Sequence, residues 1–423
     1  MEQPTYNPQN PDGTWEAADT ATRSPSPFLQ IVGWGLVNFF ILTAAMLAAV
    51  QFRTSISLGR PLGETYEPHF VTLYSIILVV SIGTYLLGYF GRGIDLIGQH
   101  LHIQRQFRQL IAATGISSVV VLLFLPGVSQ LQMIYYAFMA MLLGAFLILI
   151  PGRLRQNAYR NLSIIDNLRQ VHDHRHLLKL WLSYRIRSRY AQTLLGILWI
   201  IILPVMQSAV LAFAFTQLLG RGASTEVPFV AFLLSGAVIF GIFQSLVMRG
   251  VNALNGMRAV IKQVYFPREI IIVLLAGEVL VDFSFTFIAL LVINAFLGIL
   301  PNVYFLLLPI PIVLCLILGL GTSFLVTWLS LIIKDMQPLV GVLMQLMFYV
   351  TVLFNINMVS ENLQFLPLLN PVSAIVEAFR AIMIYNQPPD LVSLYFPTTL
   401  SIAILYTGYV FYKVNEDRFV DFV

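Results

Sequence analysis

About ten apolar runs, each near the length a helix needs to cross some 30 Å of hydrocarbon, follow one another between residues 27 and 413. A chain with that pattern must satisfy its backbone polar groups internally, and helices do this segment by segment. Composition agrees: of 423 residues 58% are hydrophobic and only 10% charged, with a mean hydropathy of +0.81. Soluble domains carry about a quarter charged residues, so no sizeable soluble domain fits between the runs. The expected fold class is all-α, a polytopic membrane protein.

The runs fall into two blocks. Spans are expected at about 27–51, 69–91, 107–126 and 131–150, a four-helix N-terminal module. Six more are expected at about 194–219, 227–248, 268–298, 303–333, 337–358 and 393–413. Residues 1–26, rich in Pro, Asn and Thr without apolar periodicity, read as a disordered cytoplasmic tail, and they lack the basic start and apolar core of a signal peptide. With both termini in the cytoplasm, all of the 24 Lys and Arg lie inside except Arg53, Arg60, Arg221 and Arg380. Residues 151–190 form the long basic connection between the blocks, and 191–423 form the six-span domain.

Three segments break the apolar pattern in informative ways. From Leu177 to Tyr184 the apolar side chains, Trp181 and Tyr184 among them, share one broad helical arc opposite Lys179 and Ser183, as in an amphipathic helix lying on the inner membrane surface. Arg185 and Arg189 rotate onto that arc, where they can reach lipid phosphates. Between Met248 and Glu269 a polar stretch with Asn255, Arg258 and Lys262 ends at Phe266-Pro267, which suits either a short cytoplasmic helix or an ordinary loop. From Ser360 to Asp390 the chain is too polar and too proline-broken to span. It reads as short helices dipping into the outer face, or as a structural cap with Asn370-Pro371 as a turn and Glu377 paired with Arg380.

Glu278 and Asp282 sit i,i+4 on one face of an expected span, so they face a bundle interior or a hydrated path; a proton relay, a channel wall and a buried pair are all open. The lone cysteine, Cys315, excludes a disulfide within the chain. Of the six histidines only His172 and His176 have helical ligand spacing, and without a third ligand no metal site is expected. No G-x-x-x-x-G-K-S/T stretch occurs, so the loop that cradles ATP phosphates is not on this chain.

Arg189-Tyr190-Ala191-Gln192-Thr193-Leu194-Leu195-Gly196-Ile197-Leu198-Trp199 followed by Pro204, then Phe266-Pro267-Arg268-Glu269, Lys334-Asp335, and Leu369-Asn370-Pro371 with Glu377-Ala378-Phe379-Arg380, resemble signatures of polysaccharide-export ABC permeases in the same order. The resemblance covers about 177–413 and implies a six-span type-2 ABC transmembrane domain that dimerises and engages two nucleotide-binding ATPase subunits. ATP and magnesium would sit on those subunits, with no cofactor on this chain. It further implies coupling to the ATPase through Asn255, Arg258, Lys262, Phe266, Pro267, Arg268 and Glu269. Interface-helix residues Trp181, Tyr184, Arg185, Arg187, Arg189 and Tyr190 would meet membrane lipid and the substrate head group. Asn370, Pro371, Glu377 and Arg380 would form an outer gate. The implied cargo is a polyprenyl-diphosphate-linked glycan such as an O-antigen or capsule, with teichoic acid, a small lipid or a drug as alternative cargoes, and no nucleic acid. An integral-membrane polyprenyl-phosphate transferase is the alternative of another class, but the long loops offer no acidic cluster to hold Mg²⁺. The implied location is the bacterial inner membrane, and residues 1–150 depart from the family pattern.

Overall fold

The computed structural model describes residues 37–49, 76–77, 79–80, 110–121, 130–146, 164–190, 196, 198–218, 228–257, 260, 266–353, 370–416 and 419. These residues form helices and no strand. In chain order the helices are α1 Val37–Ala49, α2 Leu110–Val121, α3 Gln130–Gly144, α4 Ile164–Asp173, α5 Arg175–Tyr190, α6 Leu198–Phe213, α7 Phe229–Asn252, α8 Glu269–Phe296, α9 Pro309–Ile332, α10 Met336–Phe348, α11 Pro371–Met383 and α12 Leu391–Val414.

Six helical stretches among the described residues are long and apolar enough to cross a membrane: Leu198–Gln217, Phe229–Asn252, Glu269–Phe296, Val303–Ile332, Met336–Leu353 and Ser393–Val414. They fall within a few residues of the six spans expected for the second block. Two of them end in a π-helical turn, Ala214–Leu218 after α6 and Tyr349–Leu353 after α10. The expected spans of the first block contain α1, residues 76–77 and 79–80, α2, and α3 with residues 145–146; the rest of each, and the tail 1–26, lie outside the described residues.

Helix α7 is the axis of the second block. It packs against α6, α8, α9, α10 and α11, and 78% of its most apolar window is buried inside the protein, against 11% for the first span. Apolar burial alone does not drive helices together in lipid; close packing and interhelical hydrogen bonds do. On α9, Thr327 Oγ1 donates to the Gly250 carbonyl of α7 (2.9 Å) and Cys315 Sγ contacts the Ile239 carbonyl (3.3 Å). On its other side Gly321 lies so close to α12 that a Cβ there would stand 2.5 Å from the Leu405 nitrogen. Any side chain at 321 would push these two spans apart.

The N-terminal helices form a second core from Ile41, Leu42, Ala45, Leu110, Ala113, Tyr136 and Ala140, and Phe396, Leu400 and Ala403 of α12 complete it. Within it Ser117 and Tyr136 share a hydrogen bond of 2.9 Å, and Thr407 Oγ1 of α12 donates to the Phe146 carbonyl. The extra module is thus seated on the last span. Ala403 is fully buried there, and overpacking a filled core costs about 1–3 kcal/mol. After tryptic cleavage in the basic linker at 153–160, the N-terminal fragment is expected to co-elute with the remainder, and Ala403→Phe to release it. Co-elution unchanged in that variant would place the attachment elsewhere.

Candidate functional site

The functional geometry begins at the end of the bundle where α7 finishes and α8 starts. Helix α5 runs from Arg175 to Tyr190 and takes in the whole amphipathic arc read from the sequence. Only part of that arc faces outward. Leu177, Leu178, Trp181 and Leu182 pack on a core containing Phe266, Ile270, Ile271 and Leu274, while Leu180 and Tyr184 stay exposed at 66% and 70%. Trp181 meets the Phe266 ring edge-on at 5.1 Å.

Because Arg185 and Arg189 share a face with Trp181 and Leu182, packing that face on α8 turns both guanidinium groups onto the span. Arg185 Nε lies 3.2 Å from Glu278 Oε1, and Arg189 donates to Glu278 Oε2 and, at 3.1 Å, to Asp282 Oδ2. Arg249, in the last turn of α7, reaches the same carboxylates, Glu278 at 3.4 Å and Asp282 more closely. The sequence pattern offered Arg185 and Arg189 to lipid phosphates; the structure gives them carboxylate partners. Arg187 is exposed, and the side chain of Tyr190 lies outside the described residues.

Glu278 lies nine residues into α8, about 13 Å along the axis, and its carboxylate is buried, 1% exposed. Of the readings open for Glu278 and Asp282, the structure presents a shared ion network beside a cavity. The cavity, about 520 Å³, is lined by Arg185, Arg189, Arg249, Glu278, Gln244 and Asn252 among others. Arg249 was not singled out from the sequence. The available signal was a cation placed in the last turn of an otherwise apolar helix.

The segment expected to couple with an ATPase springs from this end. Asn255–Met257 forms a 3-10 turn with Asn255 exposed, while Arg258 and Lys262 lie outside the described residues. Phe266 and Glu269 are buried at 4% and 3%, so they root the segment and present no surface to a partner. Glu269 pairs at 2.6 Å with Lys413 at the end of α12, which also pairs at 2.6 Å with Glu416. Arg268 donates to the Glu416 carbonyl and stands over the Phe419 ring, and Tyr412 Oη donates to the Arg268 carbonyl at 2.9 Å. Pro267 accepts from the Ile270 amide at 3.1 Å, opening the first turn of α8. The C-terminal end of α12 therefore clamps the root of the segment, an arrangement with no local sequence signal because its partners stand far apart in the chain.

At the opposite end, Asn302 of the α8–α9 turn donates to the Asn386 carbonyl at 3.0 Å, which places the end of α11 beside the far end of α8. Asn370 is the N-cap of α11: it accepts from the Val372 amide (3.0 Å) and donates to Thr351 (2.6 Å), with Pro371 in the first helical turn. The turn read at Asn370-Pro371 is thus a helix start. Arg380 is fully buried; it donates to Glu377 at 2.8 Å, to the Val352 carbonyl at 2.6 Å and to the Phe232 carbonyl at 3.3 Å, and stacks 3.5 Å from the Phe232 ring centroid. One helix forms here, and residues 354–369, where further short helices were expected, lie outside the described residues.

Residues 176–384, from the start of α5 to the end of α11, match the ABC-2 type transporter family. The chain is similar to the O-antigen export system permease protein RfbA of Myxococcus xanthus, 23% identical over 61% of this chain and 99% of that protein. It is also similar to the polysialic acid transport protein KpsM of Escherichia coli, 23% identical over 55% of this chain and 90% of that one. The RfbA protein of Klebsiella pneumoniae is 25% identical over 46% of this chain and 75% of its own length.

Proposed function

We propose that this multi-span chain, whose residues 176–384 are an ABC-2 type transporter domain, is the membrane-spanning subunit of an exporter that moves a polysaccharide outward across the bacterial inner membrane. In this reading two copies pair, two separate ATPase subunits bind their cytoplasmic ends, and the cargo is a glycan on a polyprenyl diphosphate carrier. The observation that carries the reading is the extent of the family match, which begins at the interface helix and ends with α11, so that it takes in both the cavity and the far-end cap. The cationic rim supports it: Arg185, Arg187, Arg189, Arg249 and Arg268 gather at one end, which the positive-inside rule assigns to the cytoplasm, together with both termini. At the other end the helix carrying Asn370, Pro371, Glu377 and Arg380 serves as the outer gate.

Coupling then runs through the segment after α7, with Asn255, Arg258 and Lys262 meeting the ATPase and Phe266, Pro267, Arg268 and Glu269 anchoring it to α5, α8 and α12. The decisive measurement purifies the chain from cells co-expressing the ATPase encoded beside it. Stable co-elution and lipid-dependent ATP hydrolysis are expected, and the Arg258→Glu, Lys262→Glu double variant is expected to reduce co-elution at least tenfold. A chain that recruits no ATPase would overturn the exporter assignment.

A further inference from the structure

Among the described residues the cavity at the end of α7 gathers more cations than carboxylates. Three guanidinium groups, from Arg185, Arg189 and Arg249, surround two carboxylates, Glu278 and Asp282. Arg185 meets Glu278 only through Nε, and its Nη1 is buried without a hydrogen-bond acceptor. Beside them is a space of about 520 Å³ with Gln244, Ser245 and Asn252 on its walls, within the range of small-ligand pockets. Arg185 Nη1 and Glu278 Oε1 are both buried without a hydrogen-bond partner, beside three guanidinium groups, two carboxylates and an open volume, a setting in which a carboxylate can be exchanged for another anion.

We propose that the cavity is an exchange site for a diphosphate group, in which Glu278 and Asp282 act as intramolecular counter-anions that the diphosphate displaces from Arg185 and Arg189. The inference rests on the exporter reading and deepens it, by assigning Arg249 to the head-group site and giving the two acidic residues a role. A diphosphate supplies several charged oxygens on two adjacent phosphorus centres, enough to take the forks of two guanidinium groups and the vacant Nη1 together. Arg249 keeps its ion pairs with both carboxylates. No bond is made or broken; only ion pairs change partners.

The exchange has a mechanical consequence set by which helix carries which charge. Arg185 and Arg189 lie on α5, Arg249 on α7, and both carboxylates on α8. At rest the charges tie α5 to α8. With the diphosphate bound, α5 is tied to the ligand instead, and α5 is the helix whose Trp181 packs on Phe266 at the root of the coupling segment. Occupancy of the cavity is thereby reported to the segment that meets the ATPase.

The test uses the full-length chain in phosphatidylcholine nanodiscs, titrated with farnesyl diphosphate and with inorganic pyrophosphate by calorimetry. The Glu278→Gln, Asp282→Asn variant is expected to bind farnesyl diphosphate about tenfold more tightly than the unmodified chain, and Arg249→Gln at least tenfold more weakly, with pyrophosphate following the same order. If the neutralised variant does not fold, Asp282→Asn alone is measured, with a gain of about threefold expected. Equal or weaker binding by the neutralised variants would overturn the proposal, because the carboxylates would then only position the arginines. So would binding indifferent to Arg249→Gln. Phosphatidylglycerol in the nanodisc that abolishes diphosphate binding would reassign the site to ordinary anionic lipid. The two readings fail separately: ATPase recruitment scores the exporter, and the affinity order scores this site.

Discussion

Arg380→Met is expected to lower the unfolding free energy of the purified chain by about 3 kcal/mol, of which an unsatisfied buried acceptor supplies about 1–3 and a desolvated cation–π contact about 2. The side chain is 0% exposed and, besides pairing with Glu377, its guanidinium donates to the Val352 carbonyl in the π-helical turn after α10, donates to the Phe232 carbonyl of α7, and lies over the Phe232 ring. Phe232 O also accepts from Ser235 Oγ at 2.9 Å, so the loss of the Arg380 donor falls mainly on the Val352 carbonyl. The ion pair with Glu377 contributes least, since that carboxylate is 37% exposed and screened; Glu377→Gln is expected to cost under about 1 kcal/mol. Gly236 makes room for the arginine, because a Cβ there would overlap its Nη2, and Gly236→Ala should destabilise through the same contact. The check is equilibrium unfolding in mixed micelles. Equal effects of Arg380→Met and Glu377→Gln would mean that the ion pair, not the buried carbonyls, dominates.

The contrast between Glu377–Arg380 and the rest of the ionic structure shows what the chain reveals before folding. An i,i+3 pair is visible in the sequence because helix geometry alone brings it together. The six spans of the second block were legible for a similar reason, since uninterrupted apolar length is a local property that the bilayer enforces. Asn370-Pro371 was legible as a break but not as a helix start, because Asn before Pro suits both a turn and an N-cap followed by Pro at the first helical position. Arg189 with Glu278, and Lys413 with Glu269, were not legible as pairs. Each joins helices distant in sequence, and nothing local records the partner. Arg185 and Arg189 carried half of the information: their position on the apolar arc said that they turn inward or lie at the lipid boundary, and only the packing of α5 on α8 decided between the two.

The same packing makes the Arg249–Asp282 contact the place where charge reversal should be most damaging. Arg249→Asp would put a third carboxylate beside Glu278 and Asp282, with Glu278 1% exposed, and breaking a buried pair by losing one partner costs about 3–5 kcal/mol. Asp282→Arg would add a fourth cation to Arg185, Arg189 and Arg249, with Glu278 the one carboxylate among the described residues of the cluster left to oppose them. Either single variant is expected to reduce the folded, monodisperse fraction at least tenfold. The double variant Arg249→Asp, Asp282→Arg restores the charge count and leaves opposite charges facing across α7 and α8, so it is expected to recover most of the yield, with a coupling energy of about 1–3 kcal/mol. The measurement is the double-mutant cycle read as folded fraction by size exclusion and as unfolding free energy in mixed micelles. Additive losses without recovery would falsify the pairing, because they would mean that Arg249 and Asp282 each act on other neighbours. Recovery without any restoration of diphosphate binding has a separate meaning: the tie between α7 and α8 is electrostatic and interchangeable, whereas the exchange requires a guanidinium on α7 to hold the carboxylates that the ligand displaces.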